Sequence, residues 1–280
     1  MKVGIFIVGA PKAGTTSLFH YLNAHPEIKM SSVKEPDYFS DKELFDQGLY
    51  YGTSRIDTLQ KYNSLFLGRK KEKLMGESSV SYLYYPEVPN RIKVYNTDSK
   101  IIYASSVGVY GDLSELPHHP LGPVNPLNSY AHSKLDCEKL VLQAGGIVAR
   151  LSNIYGQGMS KKNIISDVLK QITTKDVDAI NIINGTPIRD MIHVSDVTSC
   201  LLAMTTIPKK GVYNVASGIN VSMKDLAMII LEAAQLGGCN LVESNKSKAT
   251  SCISLDISKT KEVFEWSPCI RLKDGLKELI

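Results

Sequence analysis

The chain has 280 residues, of which 43% are hydrophobic and 21% are charged, and its net charge at neutral pH is +4. This composition is typical of a globular protein with one large or two small domains. The small positive charge gives no reason to expect a nucleic-acid partner, although it suits phosphorylated substrates. The five cysteines form no Cys-x-x-Cys pair and no cluster with histidine, so we expect reduced thiols, a cytoplasmic protein and no metal site.

Strand-like and helix-like segments alternate along most of the chain. The apolar run Gly4–Val8 predicts a buried first strand rather than a signal peptide, and no stretch approaches the length of a membrane span. The other predicted strands are Lys100–Ala104, Ile147–Leu151, Val212–Val215 and Asn240–Glu243. The predicted helices are Thr15–Ala24, Leu135–Leu142, Ile164–Ile172, Asp196–Met204, Met223–Ala234 and Ser258–Phe264. The alternation predicts an α/β fold with a mainly parallel sheet.

A glycine-containing loop, Gly9-Ala-Pro-Lys-Ala-Gly-Thr-Thr16, follows the first predicted strand. Its two glycines have the spacing of a P-loop, but Thr15 stands where a P-loop has lysine, and Lys12 lies inside the loop. Backbone N–H groups at the start of the next helix would converge on an anion, with Lys12 adding charge and Thr15 and Thr16 adding hydroxyl groups. The loop therefore predicts a phosphate or sulfate site, and a glycine turn without a ligand is the alternative.

Residues 7–18 resemble the 5′-phosphosulfate loop of sulfotransferases that use PAPS. Lys34-Glu-Pro-Asp-Tyr-Phe39 and Gly76-Glu-Ser-Ser79 resemble two later motifs of that family. The resemblance implies that Lys12 steadies the bridging oxygen of PAPS and that Glu35 deprotonates the acceptor hydroxyl. The cofactor-binding residues that it implies are Gly9, Lys12, Gly14, Thr15, Thr16 and Ser17. The family's Arg-x-Pro turn, and the Arg and Ser that hold the 3′-phosphate, have no counterpart after Tyr103.

A tyrosine and a lysine lie four residues apart in the segment Ser129-Tyr-Ala-His-Ser-Lys134. On a helix, Tyr130 and Lys134 would share one face, one turn from each other. The lysine ammonium can then lower the pKa of the phenol, and the hydroxyl of Ser106 can share the substrate's hydrogen bond. Such a trio is suited to moving a proton while a nicotinamide moves a hydride.

Five ordered segments of the second part of the chain resemble extended short-chain dehydrogenase/reductases, the nucleotide-sugar epimerases and dehydratases. They are Ile101–Gly111, Asn125–Lys134, Ala149–Gly156, Arg189–Asp196 and Tyr213–Gly218. The resemblance implies that Ser106 polarises the substrate oxygen, that Tyr130 is the acid/base and that Lys134 binds the nicotinamide ribose of NAD or NADP. It also implies that Asn153 contacts the nucleotide sugar and that Arg189 pairs with its diphosphate.

The resemblance to dehydrogenases implies a Rossmann-like sheet with helices on both faces and a small C-terminal substrate-binding region. The Gly-x-x-Gly-x-x-Gly turn of that family has no counterpart in this sequence. We therefore divide the chain into residues 1–102, sulfotransferase-like, and residues 103–280, the second half of a short-chain dehydrogenase, joined at a strand that both could supply.

Three functions are open at this point. The first is modification of a nucleotide sugar with NAD or NADP at the Ser/Tyr/Lys site. The second is sulfuryl transfer from PAPS. The third is a fusion without activity that only binds nucleotide phosphates. For each we expect a small-molecule ligand and no membrane partner, and a homodimer is left open.

Overall fold

The structure is a computed structural model that describes residues 2–9, 15–50, 55–68, 72–173, 178–207, 209–245 and 251–280. The strands of this part of the chain are β1 Ile5–Val8, β2 Ile28–Met30, β3 Leu74–Ser79, β4 Lys100–Ser106, β5 Ile147–Leu151, β6 Asn153–Tyr155, β7 Ala179–Ile182, β8 Ile188–His193, β9 Gly211–Val215, β10 Asn220–Ser222 and β11 Asn240–Glu243. The helices are α1 Thr15–Ala24, α2 Asp41–Asp46, α3 Leu59–Ser64, α4 Val88–Tyr95, α5 Ser129–Gln143, α6 Ile164–Ile172, α7 Val194–Thr206, α8 Met223–Ala233, α9 Ser258–Phe264 and α10 Leu272–Lys277.

Six of these strands form a central sheet in the order β2-β3-β1-β4-β5-β9. Strand β1 pairs in parallel with β3 on one side and β4 on the other, and β2 pairs in parallel with β3. All four residues of β1 are buried, as expected for an apolar strand in the middle of a parallel sheet. The mainly parallel sheet with helices around it confirms the predicted Rossmann-like α/β fold.

The order of the strands beside β1 differs from that of the usual dinucleotide-binding sheet. In that sheet the second strand lies next to the first and the third lies outside it. In this protein β3 lies next to β1, and β2 is at the edge. The proposed boundary between residues 102 and 103 falls inside β4, which lies between β1 and β5. The sheet is therefore continuous across that boundary.

The chain divides into two compact units. The first contains residues 1–109, 126–150 and 201–213, and the second contains residues 110–125, 151–200 and 214–280. The core of the first unit includes Phe6, Tyr103 and Val148, and that of the second includes Ile180 and Leu226. The division at residue 102 follows sequence resemblance rather than compactness, and it stays a proposal.

Candidate active site

Helix α5 carries the predicted tyrosine and lysine on one face. It begins at Ser129, and Oδ1 of Asn128 caps it by accepting a hydrogen bond of 2.9 Å from the backbone N–H of Ala131. Lys134 is fully buried, whereas Tyr130 is 41% exposed. The phenol is therefore the group that a substrate can reach.

The ammonium group of Lys134 is held inside the first unit. Its Nζ donates a hydrogen bond of 2.7 Å to the carbonyl oxygen of Ala104 on β4 and lies 5.5 Å from the centroid of the Tyr130 ring. Burial lowers the pKa of Lys134 to about 8, and the neighbouring Cys137 and Glu138 act in the opposite direction. Lys134 therefore still carries its charge at neutral pH.

The hydroxyl of Ser106 lies close enough to the Tyr130 phenol to affect its ionisation. Burial raises the pKa of the Tyr130 phenol, and the hydroxyl of Ser106 partly offsets this increase. The Oγ of Ser106 accepts a hydrogen bond of 3.1 Å from the backbone N–H of Gly108, which orients the hydroxyl at the end of β4. The structure thus brings together Ser106, Tyr130 and Lys134.

Ser106 stands at the carboxyl end of β4, beside the strand that precedes the predicted phosphate loop. In the register of these two strands, Val8 of β1 pairs with Tyr103 of β4. Ligands of open α/β sheets bind at this edge, between neighbouring strands whose connections leave in opposite directions. Strands β1 and β4 are such a pair, because β1 leads to β2 on one side and β4 leads to β5 on the other. The loop after β1 and the hydroxyl of Ser106 therefore follow the two strands that flank this switch point.

The predicted phosphate loop is described only at its two ends. Gly9 has a φ of 54°, and a Cβ atom there would lie 1.8 Å from Cδ1 of Leu83, so this position requires glycine. Thr15 is buried and Thr16 is exposed at the first turn of α1. The predicted ligands outside the described residues are Lys12, Gly14 and the side chain of Ser17. Anion binding by this loop stays a prediction.

A cavity of about 890 Å³ in the first unit contains the other predicted catalytic residue, Glu35. Its polar lining comes from Thr15 and Thr16 of α1, from Lys34 and Glu35, and from Gln47 and Ser81, and its remaining lining is leucine, valine and tyrosine. The carboxylate of Glu35 is paired with the ammonium of Lys34. The cavity thus places the predicted anion-binding turn and the predicted base side by side. Its lining, as far as the described residues define it, does not include the Ser/Tyr/Lys trio.

A second carboxyl group of the first unit, Glu77 on β3, is fully buried. Its Oε1 accepts hydrogen bonds of 2.8 Å from the hydroxyl groups of Tyr62 and Tyr82, and its Oε2 accepts one of 2.7 Å from Ser79. Burial raises the pKa of Glu77 to about 7, although these hydrogen bonds oppose the increase. The sequence shows Glu77 within a motif but gives no sign of its burial.

The two predicted substrate residues lie in the second unit. Nδ2 of Asn153 donates a hydrogen bond of 3.2 Å to the backbone oxygen of Asp190. The guanidinium of Arg189 donates to the carbonyl oxygen of Ile188 at 2.7 Å, and to the carbonyl and hydroxyl oxygens of Ser251 at 2.9 and 2.8 Å. A diphosphate would have to share or replace the hydrogen bonds to Ser251. The roles of Asn153 and Arg189 toward a substrate stay predictions.

Sequence reasoning missed two residues that support α5, Glu138 and Arg150. The carboxylate of Glu138 accepts hydrogen bonds from Arg150 and from Ser105. The sequence contained a signal for Glu138. Because it follows Lys134 at the spacing that separates Lys134 from Tyr130, all three residues share one helix face.

The described ranges also bear on metal ligation and on membrane insertion. Within them, no group of three or more His, Cys, Asp and Glu side chains is placed to hold a metal ion. None of the described helices combines the length and the apolar character needed to cross a membrane.

Comparison with known proteins finds a family match in the middle of the sequence. Residues 89–216 match the NAD dependent epimerase/dehydratase family. A relative from Methanocaldococcus jannaschii, "Putative UDP-glucose 4-epimerase", is 32% identical over 199 residues, which cover 68% of this chain and 64% of the relative. In the first three relatives the aligned region covers between 52% and 64% of their own length.

Solved structures resemble the whole fold. RMD from Pseudomonas aeruginosa complexed with NADPH superposes with a TM-score of 0.70 at 21% identity, covering 99% of this chain and 96% of that chain. UDP-glucose 4-epimerase from Bifidobacterium longum in complex with NAD+ and UDP has a TM-score of 0.64 at 18% identity, with coverage of 99% and 96%. At these identities the likeness shows the fold alone. None of these matches supports the resemblance of residues 1–102 to sulfotransferases, on which the expectation of PAPS rests.

Proposed function

We propose that Ser106, Tyr130 and Lys134 form the acid/base site of an NAD- or NADP-linked enzyme that modifies a nucleotide sugar as epimerases and dehydratases do. The observation that carries the proposal is the setting of the Tyr130 phenol, which has the hydroxyl of Ser106 close by and the Lys134 ammonium 5.5 Å from its ring centroid. The family match of residues 89–216 and the relative named for UDP-glucose support the choice of substrate class.

Each side chain has a separate task in this proposal. Tyr130 removes the proton of a sugar hydroxyl while the carbon that bears this hydroxyl loses a hydride. In the reverse step Tyr130 returns the proton. The hydroxyl of Ser106 donates a hydrogen bond to the same substrate oxygen. The charge of Lys134, 5.5 Å from the ring centroid, would favour the phenolate form of Tyr130 against the burial that raises its pKa. The bound nicotinamide supplies the chemistry of accepting or donating the hydride.

The residues proposed to hold a nicotinamide dinucleotide differ between its nicotinamide ribose and its pyrophosphate. Lys134 is the residue proposed for the nicotinamide ribose, and because its ammonium is buried and bonded to Ala104, it would have to share that bond with the ribose hydroxyls. The pyrophosphate would face the first turn of α1, where Thr15 and Thr16 offer backbone N–H groups and hydroxyl groups. Because the three-glycine turn is absent, we expect the pyrophosphate to be held weakly. The roles of Asn153 toward the sugar and of Arg189 toward the diphosphate remain those that the sequence resemblance implies.

The test is turnover of a panel of UDP-, dTDP- and GDP-sugars with millimolar NAD or NADP, followed by nicotinamide absorbance and by identification of the sugar product. Tyr130→Phe keeps the ring and removes the proton, so we expect it to abolish turnover. His132→Gln, on the exposed side of the same helix, is the matched control and should keep the activity. Turnover that survives Tyr130→Phe would refute the assignment.

A second candidate function is sulfuryl transfer from PAPS at the cavity that Glu35 lines. The specific observation in its favour is that Thr15, Thr16, Lys34 and Glu35 share one cavity. Glu35 would take the proton of an acceptor hydroxyl, and Lys12 would steady the transferred group. Transfer of labelled sulfate from PAPS to alcohols and phenols, lost in Glu35→Gln, is the test. If both activities are absent while PAP or NAD still binds, the remaining candidate is a protein that only binds nucleotide phosphates.

A further inference from the structure

Glu138 and Arg150 form a buried ion pair, and Glu138 lies on the helix that carries Tyr130 and Lys134. The exposed fraction is 2% for Glu138 and 4% for Arg150. Glu138 lies on α5, one helical turn beyond Lys134 and two turns beyond Tyr130. The proposed chemistry gives neither residue of the pair a role, although a buried pair of charges is costly to maintain unless both are fully bonded.

The hydrogen bonds of Glu138 connect α5 to two adjacent strands. Its Oε1 accepts from the hydroxyl of Ser105 at 2.5 Å and from Nε of Arg150 at 3.0 Å, and its Oε2 accepts from Nη2 of Arg150 at 2.7 Å. Ser105 lies on β4, directly before Ser106, and Arg150 lies on β5. Because the carboxylate and the guanidinium meet through two parallel bonds, the pair fixes the direction of α5 as well as its distance from the sheet.

The same carboxylate is close enough to the Lys134 ammonium to raise its pKa. The titratable groups that face this ammonium are Tyr103 from β4 and Tyr130, Cys137 and Glu138 from α5. Burial raises the pKa of the Cys137 thiol, so that group is neutral at neutral pH. Among these neighbours Glu138 therefore supplies the negative charge, and because Glu138 is paired with the Arg150 guanidinium, we expect part of that charge to be neutralised before it reaches Lys134.

We propose that Glu138 and Arg150 are positioning residues for Tyr130 and Lys134. They hold α5 so that the phenol meets Ser106 and the ammonium meets Ala104, and they set the charge of Lys134. The inference builds on the proposed function, but it concerns the chain's own residues and can be measured without cofactor or substrate.

The test is the titration of Lys134, followed by NMR of protein labelled at its lysine side chains, with the signal assigned by Lys134→Met. Glu138→Gln removes the negative charge and leaves Arg150, so the titration midpoint of Lys134 should fall by about one pH unit, a tenfold loss of proton affinity. Arg150→Met leaves the carboxylate without its partner, so the midpoint should rise. The double variant should lie between the two.

The control uses the exposed pair of Asp136 and Lys139 on the same helix, in which Nζ of Lys139 is 2.9 Å from the Asp136 carboxylate. Asp136→Asn should leave the midpoint of Lys134 unchanged. A pair that only stabilised the fold would move the midpoint in neither single variant, and that result would overturn the inference. If one single variant fails to fold, the sign of the other decides.

Activity gives a separate readout. If the protein turns over nucleotide sugars, Glu138→Gln should lower kcat with little change in KM for the sugar, and Arg150→Lys should restore part of what Arg150→Met loses. A protein without turnover would count against the proposed function, and the Lys134 titration would still decide this inference.

Discussion

The ammonium of Lys134 lies 5.0 Å from the centroid of the Tyr103 ring and 5.5 Å from that of the Tyr130 ring. Two aromatic faces and one carbonyl oxygen thus replace the water that a lysine charge normally has around it. Ring faces attract cations, but less strongly than full hydration does, and this explains why the charged form is disfavoured. The proposed site therefore contains a charge that weakens the fold.

Lys134→Met should stabilise the protein while abolishing its proposed activity. The pKa of Lys134 is lowered from 10.5 to about 8 in the folded state, so the unfolded chain binds its proton more tightly and stability increases with pH over that range. At neutral pH the lowered pKa means that the charge of Lys134 costs the wild type about 3 kcal/mol of stability. The variant avoids this cost but loses the hydrogen bond to Ala104, which is worth about 1 kcal/mol.

We therefore expect Lys134→Met to raise the free energy of unfolding by about 1–2 kcal/mol at neutral pH, since methionine fills nearly the same volume. Urea unfolding of the variant and the wild type is the measurement. A variant less stable than the wild type at neutral pH, or one more active, would contradict this account of the site.

Glu77 should make the protein less stable as the pH rises, whereas an exposed, paired carboxylate has the opposite effect. Its pKa is raised to about 7 from 4.5, so the folded state holds the proton more tightly than the unfolded chain. The stability from this group is fully present below 4.5 and is lost as the pH rises through about 7. The loss should amount to about 3 kcal/mol.

Glu77→Gln removes this titration, because the amide oxygen can still accept from Tyr62 and Tyr82 without changing charge. The difference in unfolding free energy between variant and wild type should therefore change between pH 4.5 and 7. Parallel stability curves for the two proteins would show that the carboxyl group is not perturbed.

NAD and NADP should bind weakly, with dissociation constants in the millimolar range, about −4 kcal/mol. The pyrophosphate of a dinucleotide needs close backbone approach through three glycines, and the loop after β1 offers Gly9 and Gly14 at a different spacing. Calorimetric titration measures this directly. Micromolar binding would mean that the first turn of α1 replaces the missing glycine turn.

Lys12→Ala should weaken the binding of PAP or sulfate several-fold, because the predicted anion site depends on the charge of Lys12 as well as on the N-terminus of α1. Calorimetry with PAP as the ligand compares the variant with the wild type. Lys29→Ala, a change of the same charge on β2, is the control and should leave the affinity unchanged. Equal affinity of the wild type and the Lys12 variant would refute the anion site.

Periodicity predicted the elements that have a strong local pattern. The strands at Ile147–Leu151 and Asn240–Glu243, and the helices at Thr15–Ala24, Ile164–Ile172 and Ser258–Phe264, have the predicted bounds. The spacing of Tyr130 and Lys134 placed them on one helix face, because the period of a helix is local. The juxtaposition with Ser106 could be expected only from a family resemblance, since it depends on how α5 lies over β4.

The strand order could not be predicted, because register and neighbours depend on contacts between distant segments. Short strands such as Ile28–Met30 have too few residues for a clear pattern. The burial of Glu77 and Glu138 was equally hidden, since a carboxylate in a sequence looks exposed until its hydrogen-bond donors are known. Their donors come from residues as far away as Tyr62 and Arg150.

Because β4 contains the boundary at residue 102, we expect residues 1–102 and 103–280 to depend on each other for folding. A fragment that began at residue 103 would start inside a strand whose neighbour β1 had been removed, and its unpaired backbone groups would offer a template to other chains. We therefore expect residues 103–280 to need residues 1–102 in order to fold, whatever residues 1–102 bind. Separately produced fragments should aggregate alone and reassociate when mixed, as in fragment complementation.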